Sequence, residues 1–259
     1  MPGNEESVIS FLVQSLQNEK PLNLPIIGFL KEVSMPIKED KKIVRNTSDL
    51  KNFSSNDRYK KADVYINNIG ISIKEHCSPL YNKIQRKHIP NLIKYLFPDR
   101  KDLEDILNNT IDTKIERVNQ GSNRDIHWSR IFSKKDFFII LEFLMMRGYA
   151  DTKLSSHPAD YILISPKHLT HENIKDIKIL SFENFFEEYK NNIVIAARRI
   201  WIGQNSRSEN RRALGINKQE DNKRWVFKNI SGKPTSSWNT SFPSEDRREV
   251  FYLNINTVK

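Results

Sequence analysis

The chain is poor in the groups that build stapled, metal-clustered or membrane-bound proteins. Cys77 is the single cysteine among 259 residues. An internal disulfide and any cysteine-cluster zinc site are therefore excluded. No apolar run approaches the roughly 20 residues that a membrane span needs. The first residues, Met1-Pro2-Gly3-Asn4-Glu5-Glu6, are acidic and lack the basic-then-apolar layout of a signal peptide. No internal repeat and no long low-complexity tract is visible. The histidines at 76, 88, 127, 168 and 171 are scattered, without a carboxylate-rich helix to frame a zinc site, and Cys77 has no sequence neighbour suited to activate it. A cytoplasmic protein with no membrane partner is the expectation.

Charge, by contrast, is abundant. Charged residues make up 29% of the chain and apolar ones 37%, with a formal net charge of +10. That balance fits a globular protein with a real core, and a basic surface suits a polyanionic partner. From Arg198 to Arg248 there are twelve Lys/Arg against five Asp/Glu, so much of the surplus sits late in the chain.

The pattern that carries chemistry lies in residues 61–75. Val64 and Ile66 alternate with Asp63, Tyr65 and Asn67, and Ile69, Ile71 and Ile73 alternate with Gly70, Ser72 and Lys74. This period of two predicts two strands, each with one apolar face. Asn tolerates the left-handed backbone of a two-residue turn, so Asn67-Asn68 closes a hairpin in which Ile66 pairs with Ile69. Asp63 then falls opposite Ser72 and diagonal to Lys74. Directly opposite Cβ atoms lie about 4.5–5.5 Å apart and diagonal ones about 7–8 Å. On pattern alone this is either an ordinary cross-strand Asp–Lys pair or a metal-dependent hydrolytic site. In the second reading the acid holds Mg²⁺, which prefers oxygen ligands, and the lysine steadies an attacking water.

Asp63, followed after a short hairpin by Ile71-Ser72-Ile73-Lys74, resembles the core of the PD-(D/E)xK nucleases. Within that superfamily it is most similar to type II restriction endonucleases, some of which carry a second strand like Gly-Ile-Ser-Ile-Lys. The resemblance implies an α/β fold of the mixed α+β kind, with a restriction-endonuclease-like core: a mixed central sheet flanked by helices, with a helix first, then the strands bearing the site, then a helix. It implies Mg²⁺ held by Asp63 and the Ile73 backbone carbonyl, and Lys74 as the catalytic lysine. Two departures stand out. Ser72 occupies the position of the usual second acid, and Ala62 that of the motif's proline. A hydroxyl is a poorer Mg²⁺ ligand than a carboxylate, so completion from elsewhere is expected, with Glu75 or, from the first helix, Glu5 or Glu6 as candidates.

The resemblance also implies sequence-specific hydrolysis of double-stranded DNA, a homodimer for a palindromic target or a monomer that nicks the two strands in turn, and a cognate DNA methyltransferase in the cell. A structure-selective repair or mobile-element nuclease of the same fold and a non-catalytic DNA-binding protein are the alternatives. The organisation expected is a catalytic core over 1–200 with helical insertions and a basic recognition region over 201–259, within one continuous domain. In the latter, Gln204, Asn205, Arg207, Asn210, Arg211, Arg212, Lys223 and Arg224 are of the kinds that read base edges or hold phosphates; a solvated basic loop is the plainer reading. Gln120, Asn123, Arg124 and Trp128 form a second candidate DNA loop. His157 and Asp160 read either as a rival metal site or as the start of a strand.

Elsewhere the stripe Val8, Ile9, Leu12, Val13 and Leu16 predicts a helix over 5–17. Ser78-Pro79 suggests a helix start, Asp99 caps a helix carrying Leu103, Leu107 and Ile111, and Ser133 with Asp136 opens one through Arg147. Residues 161–165 and 177–180 are expected strands. A long helix is expected from Ser181 to Trp201, and beyond Gly203 an irregular segment with strands at 225–227 and 250–253.

Overall fold

The structure, a computed structural model, describes residues 4–52, 60–75, 79–203, 207–228 and 247–258. Cys77, Ser78, Gln204 and Asn205 lie outside them. The elements in chain order are α1 (Asn4–Gln17), β1 (Asn23–Leu24), β2 (Gly28–Phe29), β3 (Val33–Ile37), β4 (Asp40–Ile43), β5 (Val64–Ile66), β6 (Ile69–Glu75), β7 (Pro79–Ile84), α2 (His88–Leu96), α3 (Lys101–Asn119), β8 (Asp125–His127), α4 (Lys134–Glu142), β9 (Tyr161–Ser165), β10 (Lys178–Leu180), α5 (Phe182–Tyr189), β11 (Ile193–Ile202), α6 (Arg207–Asn217), β12 (Val226–Lys228) and β13 (Arg248–Thr257). The class is mixed α/β. Among the described residues no helix is long and apolar enough to cross a membrane.

The first sheet has the order β10-β9-β6-β5-β3-β4. Strands β3, β5 and β6 form an antiparallel meander, and β6 then pairs in parallel with β9, Ile71 with Tyr161 through Glu75 with Ser165. Parallel neighbours need a long crossover. Here it carries β7, α2, α3, β8 and α4. The hairpin forms as its sequence dictates: Ile66 pairs with Ile69, and Asn67 and Asn68 take φ of 50° and 68°. Asn67 also fixes the hairpin's surroundings, because its Oδ1 accepts from the Lys31 and Glu32 N–H groups.

The alternation along β6 divides two cores. Ile71 and Ile73, with Val64 and Ile66, pack on α1 through Val8, Ile9 and Leu12. The opposite face, with Tyr65, Ile162 and Ile164, belongs to the main core, shared with α3, α4, α5 and the inner face of the second sheet. That sheet has the order β12-β13-β11-β8, with β7 also paired to β13. Strands β11 and β13 run antiparallel in unbroken register from Ile193–Thr257 to Ile202–Arg248. From the last part of the chain, Trp225, Phe251, Leu253 and Ile255 are thus built into the same core.

Three expectations fail here. The helix expected from Ser181 ends at Tyr189, and 193–202 is a strand. Ser181 does cap it, accepting from Asn184 N–H. Ile193, Ala196, Ala197 and Ile200 match a helical stripe, but ten residues of pairing with β13 decide otherwise. Likewise the stretch after Ser78 is strand, since Leu80 and Ile84 suit a period of two as well as 3.6, and β13 supplies the partner. The segment after Gly203 is helical rather than irregular. The N-cap half of the expected α4 capping box forms, Ser133 Oγ accepting from Asp136 N–H at 3.1 Å, while the Asp136 carboxylate accepts from the Ser133 hydroxyl at 2.7 Å.

Gly70 marks the closest approach in the first sheet. A Cβ there would stand 2.8 Å from the Pro158 carbonyl oxygen and 3.3 Å from the Ala62 Cβ. Gly70→Ala is therefore expected to lose about 1–3 kcal/mol in urea unfolding, the usual cost of overpacking against backbone.

Candidate active site

The site is built where β5 leaves β6. Asp63 lies just before β5, and its N–H still reaches the Ile71 carbonyl at 2.8 Å although Val64 is the register partner of Ile71. Two residues thus oppose one, as in a β-bulge, and the chain turns away from β6 at this point. Alternate backbone groups of a strand point the same way, so Ile73, like Ile71, directs its N–H and carbonyl toward the side that β5 has vacated. The Asp63 carboxylate fills that edge, with Oδ2 accepting the Ile73 N–H at 2.7 Å. One aspartate oxygen is thereby pinned to the strand, and the Ile73 carbonyl opens on the same edge.

The peeled-off segment is held from outside. The His157 carbonyl accepts from both Lys61 and Ala62 N–H at 2.9 Å, and Tyr149 donates its hydroxyl to the Lys60 carbonyl at 2.6 Å. The His157 ring is 2% exposed. Its Nε2 faces the Lys38 carbonyl at 2.7 Å, which only accepts, so Nε2 carries the proton and Nδ1 accepts from the Tyr65 hydroxyl at 3.0 Å. Both nitrogens are used in positioning, which removes His157 from the rival metal site. Asp160 is used similarly, with Oδ2 accepting the Gly70 N–H at 2.8 Å. It does for β6 on one side what Asp63 does on the other.

Charge concentrates at this edge. The Glu5 carboxyl, on the first turn of α1, is pushed from its ordinary 4.5 up to about 7 by burial and then by Asp63, with Lys74 and Lys60 opposing the shift. The Lys61 ammonium falls from 10.5 to about 7, through burial and then the charge of Lys74, with Asp63 and Asp151 working against it. Its Nζ donates to the Leu144 carbonyl at 2.6 Å and lies 3.8 Å from the Tyr149 ring centroid and 4.8 Å from that of Tyr81. That carbonyl is reachable because the helix widens to a π turn over Phe143–Arg147 and the Tyr149 N–H bonds Lys153 instead.

The structure sorts the expected site residues. Asp63, the Ile73 backbone and Lys74 come together, and Glu5 joins them, whereas Glu6 is exposed. Ser72 is 1% exposed, in the interior opposite Ile162, and among the described residues its hydroxyl bonds neither Asp63 nor Lys74. It shares its strand face with Lys74, but at its own position that face is covered by the main core. Glu75 alternates to the other face from Lys74 and pairs with Ser165. Lys61 and Tyr149 had no local signal, since Leu144, the lysine's partner, lies 83 residues away.

Of the expected DNA-binding residues, Arg207 opens α6, and Arg211 and Arg212 are exposed on it. Asn210 instead caps the Gly203 N–H at 2.9 Å, Lys223 pairs with Glu220, and Arg224 pairs with Asp112 at 3.1 Å. In the second candidate loop Gln120, Asn123 and Arg124 are exposed or partly so, but Trp128 is a core residue stacked 4.9 Å from Phe137. Among the described residues no group of three or more His, Cys, Asp or Glu side chains is arranged to hold a metal. A site here rests on two carboxylates and a carbonyl, which is within what Mg²⁺ accepts when waters complete its shell. No family model, curated protein or solved structure matches the chain.

The raised Glu5 pKa fixes a sign. Between about 4.5 and 7 the folded state holds a proton that the unfolded chain has released. This contribution to stability is complete below the unfolded value and is lost as pH rises through the folded one. In thermal melts with a chelator present, the melting temperature of wild type relative to Glu5→Gln should fall from pH 4.5 to pH 7.5. A pH-independent difference would separate Glu5 from the Asp63 edge.

Proposed function

We propose that the chain is a Mg²⁺-dependent, site-specific endonuclease of the type II restriction class, acting on double-stranded DNA. The observation that carries this reading is the convergence of Asp63, Glu5, the Ile73 carbonyl and Lys74 on the edge where β5 leaves β6. The layout of α1, then the antiparallel strands bearing the site, then helices, supports a restriction-endonuclease-like core, as the resemblance implies. Glu5 provides the second carboxylate that Ser72 does not.

Asp63, Glu5 and the Ile73 carbonyl would hold the ion. When bound, Mg²⁺ offsets phosphate charge and lowers the pKa of a coordinated water. The chain's own parts act as follows. The Ile73 N–H fixes one Asp63 oxygen, so the other faces the site without rotamer loss. The carboxylates of Asp63 and Glu5 resist each other, as the Glu5 shift records, so a divalent cation relieves repulsion as it binds. The Lys74 ammonium orients the attacking water and stabilises the extra negative charge of the pentavalent phosphate. Hydrolysis is direct, with no covalent enzyme intermediate. A homodimer and a protecting methyltransferase accompany this reading by family analogy.

Incubating plasmid with protein and Mg²⁺, then sequencing the fragment ends, tests the reading. One recurring site is expected; scattered ends would favour the structure-selective alternative, and no cuts would end the nuclease reading. Asp63→Ala and Lys74→Ala should each lower the cleavage rate by about 10²–10³-fold or more, with binding retained. Ser72→Ala should cost far less, and a loss equal to that of Asp63→Ala would return Ser72 to the site.

A further inference from the structure

Cations outside the site gather on the outer face of the second sheet. β11 and β13 turn Ile195, Ala197, Phe251 and Leu253 to the main core. The other face carries Arg198 and its register partner Tyr252. Asn254, two residues further along β13, accepts the Lys83 N–H at 3.0 Å, which places Lys83 of β7 beside them. Helix α6 lies across the end of this face with Ala213 and Ile216 packed on Ile200, Ile202 and Val250, and Arg212 is exposed next to them. Burial and then the Arg212 charge lower the Lys83 pKa, while Arg212 and Arg198 both oppose the rise that burial imposes on Tyr252. These groups therefore share one field.

Two further facts make this more than a solvated surface. Lys83 and Arg212 form no ion pair among the described residues, whereas Arg198 is bound to Asp125 at 2.9 Å. Lys83 has φ of 63°, a left-handed conformation that side chains other than glycine and asparagine rarely adopt, inside a strand whose register is irregular.

We propose that this face is a phosphate track, in which Lys83 and Arg212, flanked by Arg198, hold the backbone of duplex DNA. The identity of the polyanion rests on the nuclease reading; the track itself does not require cutting.

The test is binding of 30-base-pair duplexes of unrelated sequence by fluorescence anisotropy, with EDTA present and salt varied from 50 to 200 mM. Each phosphate contact contributes about 0.9 to the slope of log K against log salt. The double variant Lys83→Gln/Arg212→Gln should therefore lose about 1.8 of slope, equally for every sequence, while Lys175→Gln on another surface loses none. Lys83→Gly removes the charge and the backbone strain together, so it should bind more weakly and melt at a higher temperature. An unchanged slope in the double variant overturns the track and leaves the nuclease reading standing. Loss of slope without any Mg²⁺-dependent cutting by wild type does the reverse. Preference for single-stranded RNA over the duplex, or a lower melting temperature for Lys83→Gly, would also overturn it.

Discussion

One hydrogen bond organises the edge of the first sheet: Ile73 N–H to Asp63 Oδ2, 2.7 Å. Where β5 ends, β6 would expose a donor with no strand beside it, and a buried unpaired N–H costs about 1–3 kcal/mol. The aspartate removes that cost and is itself immobilised. The opening it guards is maintained by partners on the far side, the His157 carbonyl and the Tyr149 hydroxyl, which keep residues 60–62 off β6. Without them the simplest arrangement would be a longer β5, with the Ile73 N–H and carbonyl spent on ordinary pairing and no edge left for chemistry.

The electrostatics of that edge follow from the same geometry. A carboxyl raised to about 7 and an ammonium lowered to about 7 stand in one neighbourhood, both shifted chiefly by burial and then by a like charge. Their shifts show that they do not simply neutralise each other, as a structural ion pair would. Such opposed perturbations beside an opening mark functional positions more often than structural ones. The aromatic rings around Lys61 and the widened turn that presents the Leu144 carbonyl give the ammonium partial compensation only.

How much of this was legible in the sequence depended on the range of the determining contacts. The hairpin was, because turn chemistry and period-two alternation are local: Asn67 and Asn68 fix the register, and the register fixes Asp63 against Lys74. The side of the sheet that Ser72 occupies was legible too, but its burial there was not, because both faces of β6 are covered, one by α1 and one by the main core. The same limit explains β11. Its apolar spacing satisfies a helix and a strand equally, and the choice is made by β13, some fifty residues away. Glu5 was nameable only as one of two neighbours, since which of them faces Asp63 depends on the rotation of α1 over Ile71 and Ile73.

The straps on the Asp63 segment also set a schedule. The ring of His157 reaches Tyr65 across 92 residues of chain, and Asp160 reaches Gly70 across 90. At a synthesis rate of about 5–20 residues per second, the hairpin waits about 5–20 s for the segment that holds its edge open. The distal strand β13 arrives later still, to complete the sheet on which β7 and β11 depend. A chain emerging from the ribosome thus carries Asp63 and Lys74 long before it carries the partners that hold their edge open, and that edge comes into being only with a nearly finished molecule.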